Sequence, residues 1–255
     1  MIKEGIKRLT LCKAVLVSAL LCIVPSVGTA GEWRVTPIRL DLGKDAKSGV
    51  ITVVNDGGDR LSVQMKAFEW TQDSEGKDQY AESEELIFFP KIMAIEKKEE
   101  RILRVGIKIP AATKEKAYRL FIEEIPEPKK GEGAQVAISV RFGVPIFVKP
   151  PKEDMKGEIE GIRLSKGVIG VAVRNAGNKH FIINALNIKG KNIKGEETYA
   201  KEISGWYLLA GASRLYTAQI PHDTCNDIAG LEIDVKTSDF ALNGKLDVDK
   251  SMCIP

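Results

Sequence analysis

Residues Gln135–Val148 read QVAISVRFGVPIFV. Val136, Ile138, Val140, Phe142, Val144 and Ile146 occupy every second position, so a strand sets all of them on one face. The other face carries Gln135, Ala137, Ser139, Arg141, Gly143 and Pro145, with Phe147 apolar on that side near the end. Such a run is more than twice the usual strand length. A half-buried core strand is one reading. Pro145 favours a second, because proline belongs on edges and at bulges. A long apolar edge is an aggregation hazard that proteins suppress, and one that is kept is a template for strand addition by another chain.

The rest of the chain carries the same signal. Short runs rich in Val, Ile and Phe alternate with Gly, Asn and Asp turns, as in Gly49-Val50-Ile51-Thr52-Val53-Val54-Asn55-Asp56-Gly57-Gly58. Further strands are expected at Leu61–Trp70, Arg101–Ile107, Tyr118–Ile125, Val168–Arg174, Ile182–Ile188, Arg214–Ile220 and Leu231–Lys236. Only short stretches such as Ala111–Ala117 are compatible with helix. Strands at this spacing without amphipathic helices between them predict an all-β protein built from sandwiches. Lys149-Pro150-Pro151-Lys152 marks a boundary, since consecutive prolines remove backbone donors. The predicted division is residues 31–150 and 151–255, each of a size for an immunoglobulin-like sandwich. Glu127–Gly133 reads as a mobile polar hairpin connection, and no internal repeat is evident.

Residues 1–30 have the order of a secretory signal: Lys3, Lys7, Arg8 and Lys13, an apolar run from Ala14 to Val24, then Gly28, Thr29 and Ala30. The run falls short of the ~20 residues that span a bilayer. Export is therefore expected, with cleavage after Ala30 and no membrane insertion of the mature chain. Four of the 38 basic residues and one of the 35 acidic residues lie in this leader, so residues 31–255 hold 34 of each. A balanced chain gives no electrostatic footprint for nucleic acid. The leader also removes Cys12 and Cys22, leaving Cys225 and Cys253. With no CxxC and no metal-ligand spacing, they read as one structural disulfide, the sharper alternative being a reactive or metal-binding pair. The two histidines, His180 and His222, are too far apart in sequence for an HxxH site, and no GxSxG or P-loop occurs. No enzyme, cofactor or metal is implied.

In order along the chain come Thr36-Pro37-Ile38-Arg39, Val54-Asn55, Ala67-Phe68-Glu69-Trp70, Phe89-Pro90, Leu103-Arg104-Val105, Tyr118-Arg119-Leu120-Phe121-Ile122-Glu123-Glu124-Ile125-Pro126 and Val144-Pro145-Ile146-Phe147-Val148-Lys149-Pro150. This ordered set resembles the periplasmic pilus (fimbrial) assembly chaperones of bacterial chaperone–usher systems. The resemblance implies two immunoglobulin-like β-sandwich domains set at an angle, with a subunit-binding cleft near their junction. It implies that Val136, Ile138, Val140 and Phe142 are donated as a strand to an incomplete pilus subunit, which is then delivered to an outer-membrane usher.

The same resemblance implies that Arg39 anchors the subunit's C-terminal carboxylate. The second basic anchor falls on Pro145, so Arg141 on the same face is the substitute expected. Glu115, Lys149 and Asp239 match an interdomain charge cluster. Self-association of the free chaperone through its exposed strand is a further expectation. The alternatives are an immunoglobulin-like structural or adhesive surface protein, and a chaperone of this type with a client outside pilus assembly.

Overall fold

The computed structural model describes residues 32–126 and 139–254. In the first sheet the order is β1 (Trp33–Thr36), β3 (Ser48–Asn55), β8 (Glu100–Ile107), β6 (Leu86–Phe89). The second runs β2 (Leu40–Leu42), β10 (Arg141–Val148), β9 (Lys116–Glu124), β4 (Leu61–Gln72), β5 (Asp78–Glu82), and β7 (Ile92–Ile95) pairs with another stretch of β4. The third consists of β11 (Gly157–Ser165), β12 (Val168–Asn175) and β16 (Ser213–Gln219). The fourth runs β14 (Glu197–Ser204), β13 (Phe181–Lys191), β17 (Gly230–Thr237), β18 (Ala241–Asp247), with β15 (Tyr207–Leu208) on β13. Strands before Pro150 make the first two sheets and strands after it the other two.

Alternation builds each core. Ile51, Val53, Leu103 and Val105 from the first sheet meet Val63, Met65, Leu120, Ile122, Val144 and Ile146 from the second, all buried. Ile169, Val171, Val173, Leu231, Ile233 and Val235 do the same in the later pair. On β13 the buried set changes parity, from Phe181 and Ile183 to Leu186 and Ile188. A register shift between Ile183 and Ala185 accounts for it, because one extra residue moves every later side chain to the opposite face.

Both halves turn the same corner. Asn55 Nδ2 donates to the carbonyls of Asp59 and Ile95 while its Oδ1 accepts from Gly57 N–H. Asn175 repeats this with Lys179, Leu208 and Gly177. Both amides are buried, and each satisfies backbone groups that the turn would otherwise strand.

Ala111–Ala117 is not helical: it is extended or bent chain leading into β9. Among the described residues the α-helix is α1 (His222–Asp227), which buries Cys225 against Cys253 of a 3-10 turn at Lys250–Cys253. Cys225 and Cys253 form a disulfide across a sequence separation of 28. The leader, Glu127–Gly133, Val136 and Ile138 lie outside the described residues. Among the described residues no helix is long and apolar enough to cross a membrane.

Candidate functional site

Of the expected fourteen-residue strand, β10 comprises Arg141–Val148. Its pairing with β9 runs antiparallel from Arg141↔Glu123 to Val148↔Lys116. On its other side β2 pairs in parallel only with Ile146, Phe147 and Val148. From Arg141 to Pro145, β10 is therefore an edge among the described residues. Pro145 has no N–H to give the ladder and sits where the second neighbour has already ended.

Register assigns the side chains to faces. Phe142, Val144, Ile146 and Val148 turn into the first core, while Arg141, Gly143, Pro145 and Phe147 share the opposite face. On that face Arg141 lies over the Phe121 ring at 4.6 Å, and Phe121 meets Phe68 and Tyr80 edge-on at 5.8 and 5.5 Å. Gly143 permits this layer: a Cβ there would fall 3.0 Å from the Phe121 ring. Arg119 stands opposite Pro145 and is only 7% exposed, its guanidinium 4.3 Å from the Trp70 ring and 5.7 Å from Trp206. Its Nη1 donates to the Gly143 carbonyl at 3.2 Å. Arg39, just before β2, lies 5.9 Å from the Phe147 ring centroid and pairs with Asp41 at 2.9 Å.

One end of this face is covered by the later sheets. Trp70, Ala117 and Phe147 pack with Leu209, and Tyr207 adds to the cluster. Residues Trp33–Pro255 form one compact unit, and polar groups stitch it here. Gln72 Nε2 donates to the Tyr207 carbonyl and Gln72 Oε1 accepts from Leu209 N–H, so one side chain imitates a strand partner. Trp206 Nε1 donates to Asp78 Oδ2 at 3.0 Å. Glu115 Oε1 accepts from His180 N–H at 3.0 Å and meets His180 Nδ1 at 2.7 Å, both side chains being buried. The His180 ring stacks on Phe147, centroids 3.6 Å apart.

Chemically the face offers guanidinium forks over an aromatic floor beside an open strand edge, which suits recognition of a carboxylate and an extended chain. Residues 33–153 match the family described as pili and flagellar-assembly chaperone, PapD N-terminal domain. Residues 33–153 belong to the family of PapD-like pilus-assembly chaperones.

Solved structures of such chaperones share the fold. One is the crystal structure of the CsuC–CsuE chaperone–tip adhesion subunit pre-assembly complex from archaic chaperone–usher Csu pili of Acinetobacter baumannii. It is 18% identical with a TM-score of 0.60, over 84% of this chain and 98% of that one. The Pseudomonas aeruginosa CupB2 chaperone is 12% identical, TM-score 0.52, over 85% and 100%. The YadV chaperone is 14% identical, TM-score 0.53, over 86% and 100%. Comparison with curated protein sequences finds no match.

In this PapD-like chain the expected site residues fall unequally. Arg39, Arg141 and Pro145 share one sheet face, and Val140 and Phe142 are half-buried against the chain's own core, Phe142 edge-on to Trp33 at 4.6 Å. The charge cluster is not joined: among the described ion pairs Glu115 takes His180 and Lys149 takes Glu153 at 3.8 Å, while Asp239 accepts from the Ser238 hydroxyl. The reason is placement, because Lys149 and Asp239 find local partners while Glu115 is enclosed with His180 and accepts its backbone N–H as well. The sequence assigns no role to Arg119 or to His180, and the structure places both at this face. A lone arginine within the apolar run Ala117–Ile122 is the sequence signal for Arg119.

Proposed function

We propose that this protein is an exported chaperone that captures incomplete pilus subunits by donating β10 as their missing strand and passes them to an outer-membrane usher. The single observation that carries the reading is the open edge of β10 from Arg141 to Pro145, bordered by arginines on one face and apolar residues on the other. An incoming subunit strand gains main-chain hydrogen bonds along that edge, and its empty groove takes Val136, Ile138, Val140 and Phe142. At about 0.8 kcal/mol per buried CH₂, such side chains supply a large gross term. Residues 31–150 form the donating domain, and residues 151–255 the second domain, whose contacts cover one end of the face.

Arg39 and Arg141 receive the subunit's C-terminal carboxylate. Arg119, opposite Pro145, adds positive charge where the expected second basic anchor falls on a proline. The leader directs the chain to the periplasm, where the Cys225–Cys253 disulfide is stable. Co-expression with a candidate pilus subunit tests the proposal. Wild-type chain should co-purify the subunit and Val140→Asp should not, while circular dichroism stays that of the folded chain. Equal recovery of subunit by both would refute it.

A further inference from the structure

Arg39 is not a free cation. Its Nε and Nη2 both donate to Asp41 Oδ2, at 3.2 and 2.9 Å. Asp41 lies on β2 with Phe147 as its cross-strand partner, and the Arg39 guanidinium faces that same Phe147 ring. Phe147 is fully buried and stacked on His180, which makes the platform beneath Arg39 a fixed one. The second Asp41 oxygen, Oδ1, is buried and has no hydrogen-bond partner among the described residues. The carboxylate thus has one outlet, the edge of Arg39 that it holds.

A guanidinium presents five N–H donors and more than one edge able to grip a carboxylate. Asp41 takes the edge made by Nε and Nη2. The end made by Nη1 and the second Nη2 hydrogen remains. We propose that Asp41 is a positioning residue for the carboxylate anchor: it locks the Arg39 guanidinium over Phe147 with that end turned to the client's C-terminus. The inference rests on the subunit-capture reading above. Its physical basis is preorganisation: a long side chain already held in one rotamer loses less freedom when it binds.

Two synthetic peptides of alternating threonine and valine test it, one ending in a free carboxylate and one in an amide, titrated into the full chain by calorimetry. Wild-type chain binds the acid more tightly than the amide. Asp41→Ala lowers affinity for the acid about tenfold and leaves the amide unchanged. Asp41→Asn retains most of the acid affinity, because its amide oxygen still accepts from Arg39. Acid binding by Asp41→Ala that equals or exceeds wild type would overturn the proposal. So would a tenfold gain in Asp41→Asn, which would make Asp41 a competitor and which reads out even where the alanine variant is unfolded. If wild-type chain binds acid and amide alike, the anchor reading itself fails and this inference with it.

Discussion

Arg119 on β9 stands directly across from Pro145 on β10, buried between the rings of Trp70 and Trp206 and bonded to the Gly143 carbonyl. A cation two strands deep in an aromatic layer is costly unless the rings and a carbonyl compensate it, and here they do. Arg119→Ala removes the stack and leaves that carbonyl without this donor, so a loss of about 2 kcal/mol is expected. Arg119→Lys keeps the charge but not the planar stacking and should recover less than half. Urea unfolding checks both, and an Arg119→Lys chain as stable as wild type would show that charge alone suffices.

His180 and Glu115 are a buried pair linking chain segments 65 residues apart. His180→Ala removes the buried Nδ1–Glu115 contact and the ring stacked on Phe147, so it should cost about 3 kcal/mol, more than exposed ion-pair losses such as Arg101→Ala beside Glu99. Thermal unfolding of the two variants separates them. Similar small shifts would mean that the buried contact and the ring stack contribute little to stability.

Acid sensitivity has a definite source at Glu85. Its Oε2 accepts from Lys116 Nζ at 2.7 Å and from the Tyr118 hydroxyl at 2.6 Å, and these bonds, led by Lys116, hold its carboxyl below the ordinary value of 4.5. A carboxyl depressed in the folded state stabilises it above the unfolded value, and that stability is lost as pH falls through 4.5 and below. The stability difference between wild type and Glu85→Gln should therefore shrink through that window. A difference constant from neutral pH down to well below the window would contradict the assignment.

The Cys225–Cys253 bridge closes a loop of 28 residues, worth about 3 kcal/mol in the chain-entropy model. The double alanine variant should unfold at lower urea by that amount, with an unchanged Arg39–Phe147 face. Unaltered stability would mean that the α1 packing holds the two ends together without the bond.

Much of this was legible in the chain. Alternation at Gln135–Val148 predicts both faces of β10, and Pro145 predicts its edge character, because period two and the missing donor are local properties. The helix at His222–Asp227 was not legible, since six residues carry too little periodicity to outweigh the strands around them. Arg119 and the Glu115–His180 pair were hidden for a different reason. Their partners, Trp206 and the chain around Asn178, arrive from beyond Pro150, and only the packing of later sheets onto the earlier face brings them within reach.

Strand donation along the open edge of β10 is the central claim, and hydrogen–deuterium exchange tests it most directly. The free chain and its complex with a co-purified pilus subunit are compared amide by amide. Protection on complex formation should rise at Arg141 and Gly143, whose amides point away from β9, and at Ser139 and Ala137 of the same parity, with the β9 amides unchanged. Tight complex formation that leaves exchange along that edge as it is in the free chain would contradict it.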